Sequence, residues 1–512
     1  MYQFKDLSKL YNIKSIIGSG TYGEVYEVSD IKTNEIFAMK ISYIGCNFIN
    51  PVILREITNL LKYDHPNIIK LHYVNFGLYN EKKCVYLLFE KCDYSLFDAL
   101  YKKDNNDNEI DLTELLESIH YLHQNNYYHG DASFGNILVK NQKLKLIDFG
   151  TSQRTYREYD KELSPSMIVR PIELLDINND KSIDGQVVDY WSVGCIFYKF
   201  LVGEFLVDDN LLKTNKVNND FIKTKIIGIY KNSFIDKKNK KILANLINPN
   251  LQQRKMLFTI KNNYFNIFNN KNHTTYKQFN LFVATDDNII YGIIGFLNDI
   301  IKVNCLENEI LFLTISNSKK IQIDPFNTNN EKYIMNSFLS LFWLSNKVIS
   351  SKILSFNEIS SIINYLNINN SEFEKSYYRT ITKLNWNIDS NNLYNYIGYF
   401  PGTIKAYYEG IILFLELTNY VQNKSVDAFI SIYHIFKTNH GFESLKIEDI
   451  IKKMKYSGAR VINNTVTRIK KHIHNIFNNT KHLELNKFIK YHFETNEQHH
   501  IYIWLLNLTN IK

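Results

Sequence analysis

One stretch, from His129 to Gly150, constrains the fold of this chain of 512 residues more than any other. It reads HGDASFGNILVKNQKLKLIDFG, with apolar runs on both sides of the polar turn Lys140–Lys143. This pattern predicts two short strands joined as a hairpin. Asp131 and Asn136 precede the hairpin and Asp148 follows it, so the hairpin would bring the three polar side chains to one cleft.

These three residue types suit phosphoryl transfer. One carboxylate, Asp131, can accept the proton of an attacking hydroxyl group. An amide and a second carboxylate, Asn136 and Asp148, can hold the magnesium ion that neutralises phosphate oxygens. A single aspartate in a turn is commonly a capping residue. The prediction therefore depends on the three residues occurring together at this spacing.

The stretch resembles the eukaryotic protein kinases, whose pattern is H-R-D-x-x-x-x-N followed by D-F-G. Further blocks occur in the same order along the chain. Gly18–Gly23 is a glycine turn between two predicted strands; an ordinary hairpin turn is the alternative, and the resemblance implies a loop that covers ATP. Lys40 stands in the apolar strand Ile36–Ile41, either as a surface lysine or, as the resemblance implies, as the lysine that binds phosphates and pairs with Glu56.

The segment that carries Glu56 resembles the cyclin-dependent kinases most closely. Its Arg55-Glu56-Ile57 and His65–Leu71 match the R-E-I and H-P-N-I-x-K-L blocks of that family. The residues from 50 to 61 are predicted to form a helix. Its apolar positions fall on one face at helical spacing: Ile53, Ile57, Leu60 and Leu61.

The resemblance implies a full set of site residues. Asp131 would be the catalytic base, with Lys40 and Glu56 completing the catalytic set, and Asn136 and Asp148 would be the metal ligands. ATP and Mg²⁺ are the expected cofactors, and a protein is the expected substrate. The other nucleotide contacts would lie on the glycine turn, the strands beside it and the connection between the two lobes: Ile17, Gly18, Gly20, Gly23, Val25, Ala38, Lys40, Phe89, Glu90, Cys92 and Leu138.

Two departures from the family pattern concern catalysis. Gly130 replaces the arginine that normally pairs with a phosphate on the activation segment, and Lys161 stands where the phosphorylated threonine is expected. We therefore expect no phosphate switch there, which leaves Ser164 and Ser166 as candidate sites. Ser133 replaces the lysine that normally contacts the γ-phosphate, at a cost on the order of 2–4 kcal/mol of transition-state stabilisation. A catalytically weak or inactive nucleotide-binding scaffold is thus the alternative function.

Further blocks extend the kinase resemblance over roughly residues 10–265. Val169–Leu175 is an altered form of the family's Y-R-A-P-E-L-L block. Asp189–Ile196 matches D-x-W-S-x-G-C-I, which implies that Asp189 is buried and braces the catalytic loop. Arg254 would pair with Glu173, as in the block that closes the kinase domain.

The half of the chain after residue 280 shows apolar residues at three- and four-residue spacing. Predicted helices are 288–302, 307–316, 333–348, 356–366 and 371–384, followed by 404–421, 426–436, 447–455 and 461–477. The first five resemble a cyclin box, with Phe338–Lys347 and Leu384–Ile388 as the best-matching pieces. An unrelated helical bundle is the alternative. In the cyclin interpretation Lys347 would touch the kinase helix, and a second cyclin-like repeat would follow.

The predicted fold class is α+β, a bilobal protein-kinase fold followed by an all-α cyclin-like domain. Its parts are the kinase domain 1–265, with a small lobe 1–92 and a large lobe 93–265, a linker 266–279, a cyclin-box-like domain 280–400 and a second helical domain 401–512. The function implied is a serine/threonine kinase activated in cis through an intramolecular kinase–cyclin-like interface.

Composition limits the partners and the location. The net charge of +8 comes from scattered Lys and Arg, which predicts no nucleic-acid partner. No apolar run is long enough to span a bilayer, so no membrane is expected. The five cysteines lack C-x-x-C spacing. We expect a soluble intracellular protein of the cytoplasm or nucleus. The richness in Tyr, Phe, Ile, Asn and Lys suggests an AT-rich genome, such as that of a large DNA virus or a protist; for a virus, the location would be its host cell.

Overall fold

A computed structural model describes residues 4–45, 48–100, 111–155, 159, 165–174, 183–207, 218–254, 287–321, 331–389, 394, 397, 402–417, 432, 435, 459–478 and 503–505. The chain divides into two compact units, residues 3–264 and 265–512. The predicted linker 266–279, Lys161, Ser164, helix 447–455 and all of helix 426–436 except residues 432 and 435 lie outside the described residues. The predicted domain boundaries stay a prediction.

The N-terminal unit begins with a six-stranded sheet. Its strands are β1 (Lys5–Asp6), β2 (Tyr11–Gly20), β3 (Gly23–Asp30), β4 (Ile36–Tyr43), β5 (Leu71–Tyr79) and β6 (Lys82–Glu90), in the spatial order β1-β5-β6-β4-β3-β2. Met39 and Ile41 of β4 join the core of this lobe, with Val28 and Leu88. Because successive side chains of a strand alternate between faces, Lys40 points to the other side of the sheet.

A single helix, α1 (Pro51–Leu60), follows β4. It begins after Asn50, whose side chain accepts a hydrogen bond from the Val52 backbone N–H, and Pro51 occupies the first turn, where it loses no intrahelical bond. The predicted apolar face is correct except at its end. Leu61 lies beyond the helix and is 44% exposed, whereas the polar Asn59 is buried.

The hairpin predicted between Asp131 and Asp148 is present. Strands β9 (Ile137–Lys140) and β10 (Lys143–Leu146) pair antiparallel, with Lys140 opposite Lys143. Asn141 and Gln142 both have positive φ, as a tight two-residue hairpin turn requires. Two short strands flank this region, β7 (Tyr94–Ser95), which pairs with β9, and β8 (Tyr127–Tyr128), which pairs with β11 (Gln153–Arg154).

The remaining α-helices that the structure describes in the N-terminal unit follow the sheet in the chain. They are α2 (Leu96–Ala99), α3 (Thr113–Gln124), α4 (Gly185–Val202), α5 (Asn219–Lys231) and α6 (Lys237–Leu246). Helix α4 is buried along most of its length. The predicted pairing of Arg254 with Glu173 is confirmed, with 2.7 Å between Nη1 and Oε1, and the Arg254 side chain is fully buried.

The C-terminal unit is helical in its described residues, apart from connecting turns. Its helices are α7 (Asp287–Val303), α8 (Glu309–Lys320), α9 (Glu331–Ile349), α10 (Phe356–Tyr365), α11 (Asn370–Lys383), α12 (Gly402–Leu417) and α13 (Ala459–Asn478). Five of these lie within two residues of the predicted bounds at both ends, and α8 ends four residues beyond its predicted end. Residues 418–421, predicted for α12, lie outside the described residues. Helix α9 packs against α7, α8 and α11. Its buried aromatic residues, Phe338, Phe342 and Trp343, fill the space between them.

Together, the sheet-rich lobe and the helices confirm the predicted α+β class. Within the described ranges, no helix has both the length and the apolar character needed to span a membrane.

Candidate active site

The first element of the site is an ion pair between the sheet and α1. Lys40 Nζ lies 2.7 Å from Glu56 Oε2, and the side chains are 14% and 4% exposed. Burial pulls the pKa of Lys40 down, but the carboxylates of Glu56 and Asp148 outweigh it and raise that pKa above its ordinary value. Lys40 is therefore charged at neutral pH and faces Asp148 as well as Glu56, rather than the solvent.

The second element is the group of polar residues around the hairpin. The Asn136 Nδ2 donates to both the backbone O and the Oδ2 of Asp131, at 2.9 Å each. Burial raises the pKa of Asp131, and the nearby charge of Asp148 adds to the increase. The Ser166 backbone N–H donates to Asp131 Oδ1 at 3.2 Å. The structure therefore brings Asp131, Asn136 and Asp148 close together.

The backbone before Asp131 is held by Asp189 of α4. The fully buried Asp189 carboxylate accepts hydrogen bonds from the backbone N–H groups of His129 and Gly130, each at 2.8 Å. Its Oδ2 also lies 2.8 Å from His123 Nε2. The predicted bracing role of Asp189 is confirmed.

The residues predicted to contact the nucleotide lie on neighbouring strands. The sheet register sets Gly18 opposite Val25, Val25 opposite Lys40 and Ala38 opposite Phe89. Gly18, Val25, Ala38 and Phe89 therefore lie in the same region of the sheet as Lys40. Four further positions, Gly20, Gly23, Glu90 and Leu138, lie on strands β2, β3, β6 and β9, and Cys92 follows β6. Ile17 is 44% exposed on β2, the strand that leads into the glycine turn. Their roles stay predictions.

Gly130 and Ser133, the two departures from the family pattern, both have backbone roles. Gly130 has φ +87°, in the left-handed region that glycine adopts without strain. Its carbonyl accepts a 2.9 Å hydrogen bond from the hydroxyl of Tyr159, a buried residue of the activation segment. The Ser133 backbone N–H donates to the Asp131 carbonyl at 3.0 Å. Tyr159 thus links the activation segment to the catalytic loop by a contact that needs no phosphate.

Sequence reasoning missed a second group of buried polar residues at the C-terminal end of α1. Asn59 Nδ2 donates to the backbone oxygens of Phe149 and Ser152. Lys62 Nζ donates to the Tyr127 hydroxyl at 2.9 Å and lies 4.6 Å from the centre of that ring. The signal available in the sequence was an asparagine beside the apolar face of a helix.

Comparison with known proteins agrees with this geometry. Residues 11–265 match the family described as the protein kinase domain. Residues 11–265 form a protein kinase domain. Several curated relatives are named as serine/threonine-protein kinases. A putative serine/threonine-protein kinase of Acanthamoeba polyphaga mimivirus is 27% identical over 256 residues, 48% of this chain and 39% of that protein.

Two of the relatives that the kinase domain resembles are cyclin-dependent kinases. Cyclin-dependent kinase C-3 of Oryza sativa subsp. japonica is 36% identical over 204 residues, 36% of this chain and 61% of that protein. Cyclin-dependent kinase 12 of Drosophila melanogaster is 33% identical over 221 residues, 39% of this chain and 18% of that protein. The chain thus spans less than two thirds of the length of each of these relatives.

Proposed function

We propose that the chain is an ATP-dependent serine/threonine protein kinase. The observation that carries the proposal is the arrangement of five side chains around Asp148. Lys40 is paired with Glu56 and faces Asp148, and Asp131 is hydrogen-bonded to Asn136 and lies near the same Asp148 charge. Each of these residues occupies the position that the kinase motifs assign to it. The names of several relatives, which are called serine/threonine-protein kinases, support the serine/threonine class.

Asp131 would accept the proton of the attacking hydroxyl group. Its pKa is raised by burial and by Asp148, which makes the carboxylate a better proton acceptor than an exposed aspartate. Asn136 and Ser166 each donate a hydrogen bond to the Asp131 carboxylate, one from a side chain and one from the backbone, and so fix its orientation. Lys40 would hold phosphate oxygens by its positive charge.

The donor groups also fit a magnesium ion. The Asn136 amide nitrogen is committed to Asp131, so the amide oxygen, the atom that Mg²⁺ prefers, is turned away from that bond. Asn136 and Asp148 are the residues that would hold the ion. When bound, Mg²⁺ neutralises charge on the phosphate oxygens.

The C-terminal unit is proposed to act as a cyclin-like activator in cis. Five consecutive helices with α9 against three of the others support this proposal, as do the two cyclin-dependent relatives. Covalent attachment would give the activator an effective concentration of roughly millimolar order. The Lys347 side chain is buried, with its Nζ 3.8 Å from the Trp343 ring centre and 3.4 Å from the Tyr377 hydroxyl. Its contact with the kinase helix stays a prediction.

The test is transfer of radiolabelled phosphate from ATP to a generic protein substrate. The full chain is compared with Asp148→Ala, and the labelled product is hydrolysed to identify the modified amino acid. We expect label on serine or threonine with the wild type and none above background with the variant. Equal background labelling by both proteins would overturn the enzyme proposal and favour a nucleotide-binding scaffold.

A further inference from the structure

The buried amide of Asn59 joins α1 to the backbone that carries Asp148. Its Nδ2 donates one hydrogen bond to the Phe149 carbonyl at 3.1 Å and another to the Ser152 carbonyl at 3.0 Å. An amide nitrogen has two N–H groups, so both donors are used. The residues joined are about ninety positions apart in the sequence, which makes this a tertiary contact rather than a local cap.

The two carbonyls belong to one tight turn. The Ser152 N–H donates to the Phe149 carbonyl at 3.3 Å, which closes the turn, and the Ser152 hydroxyl donates to the Tyr128 carbonyl at 2.7 Å. The turn begins next to Asp148, whose φ of +61° lies in the left-handed region. A non-glycine residue keeps this conformation only where its surroundings hold it. The Asn59 amide is one of the groups that hold it.

Asn59 and Glu56 are three residues apart on α1, so they lie on adjacent turns of the same side of the helix. Glu56 holds Lys40, and Asn59 holds the turn that follows Asp148. One helix therefore sets the position of both charged residues. A buried asparagine costs free energy unless its polar atoms are bonded, and a leucine would fill similar space without that cost. The two hydrogen bonds that the amide donates to the turn after Asp148 therefore explain why an asparagine suits this buried position.

We propose that Asn59 is a positioning residue for the metal-binding carboxylate, which makes the placement of Asp148 depend on the placement of α1. The proposal rests on the function proposed above, because it assumes that Asp148 holds Mg²⁺. It predicts that loss of the amide donors weakens magnesium-dependent nucleotide binding even when the helix is intact.

The first experiment uses the full chain and the variant Asn59→Leu, with Thr58→Val as the matched control. Thr58 is the neighbouring buried residue, and its hydroxyl has no hydrogen-bond partner among the described residues. We expect Asn59→Leu to raise the Mg²⁺ concentration for half-maximal binding of the analogue AMP-PNP about ten- to hundredfold, because two hydrogen bonds to the turn are lost. Hydrogen exchange should accelerate in a peptide covering residues 149–155. Thr58→Val should change neither quantity.

A second variant, Asn59→Asp, separates positioning from folding. Above its pKa the new carboxylate faces two carbonyl oxygens and donates nothing, whereas below it the protonated carboxyl can donate one hydrogen bond. We expect the AMP-PNP affinity of this variant, divided by that of the wild type, to rise as the pH is lowered from 8 to 6. The ratio removes pH effects that are the same in both proteins.

The outcomes distinguish this inference from the proposed function. Wild-type values of magnesium dependence and hydrogen exchange in Asn59→Leu, or a pH-independent ratio for Asn59→Asp, would overturn the positioning role while phosphate transfer remained. Altered binding and exchange in the variants, with no phosphate transfer by the wild type, would overturn the proposed function and leave the positioning role supported.

Discussion

Replacing Glu56 by glutamine tests the ion pair that holds α1 against the sheet. Both partners are nearly buried and 2.7 Å apart. Removing one partner of a buried pair costs about 3–5 kcal/mol, and because the glutamine oxygen can still accept a hydrogen bond from Lys40, we expect about 3 kcal/mol. Because the Glu56 carboxylate is one of the charges that raise the pKa of Lys40, removing that charge should lower this pKa. The lysine would then lose its proton at a lower pH and with it the attraction to phosphate.

The assay is the pH dependence of kcat/KM for ATP. We expect the alkaline limb of the Glu56→Gln profile to lie at lower pH than that of the wild type. Glu204→Gln is the control, because Glu204 pairs with Lys225 in an ion pair outside this sheet, and its side chain is more than half exposed; its profile should match the wild type. Burial raises the pKa of Glu56 itself. Coincident alkaline limbs for Glu56→Gln and wild type would mean that Glu56 is already protonated, and would refute the ion pair.

Three further predictions concern the contacts around this pair. Tyr159→Phe removes the hydrogen bond to the Gly130 carbonyl and should lower kcat severalfold without altering nucleotide binding; an unchanged kcat would contradict a role in ordering the activation segment. Asp189→Asn replaces a fully buried acceptor of backbone N–H groups and should cost about 2–3 kcal/mol, measured as a lower temperature of thermal unfolding. A chain ending at residue 265 should bind nucleotide but transfer phosphate more slowly than the full chain, and full activity would argue against activation in cis.

The sequence predicted the kinase unit well because its motifs are local and chemically specific. Lys40 within an apolar strand and three polar residues around one hairpin left few alternatives. The helices of the C-terminal unit were also predictable, because their apolar residues repeat at helical spacing over long segments.

Tertiary polar contacts could not be predicted in the same way. Asn59 looks like a solvent-facing residue in the helical pattern, and only the fold brings two carbonyls to its amide. Tyr159 likewise gives no sign in the sequence that its hydroxyl reaches Gly130. The exposure of Leu61 was not predictable either. Helix α1 ends at Leu60, and the apolar pattern alone does not fix the residue at which a helix ends.

The most direct test of the site separates proton acceptance from metal binding. For wild type, Asp131→Asn and Asp148→Ala, kcat is measured together with the magnesium-dependent affinity for AMP-PNP. Loss of a positioned general base typically costs 10²–10⁴-fold, so Asp131→Asn should lose about that much in kcat and keep its affinity. Asp148→Ala should lose the magnesium-dependent part of the affinity. Wild-type kcat in Asp131→Asn, or unaltered magnesium dependence in Asp148→Ala, would contradict the account.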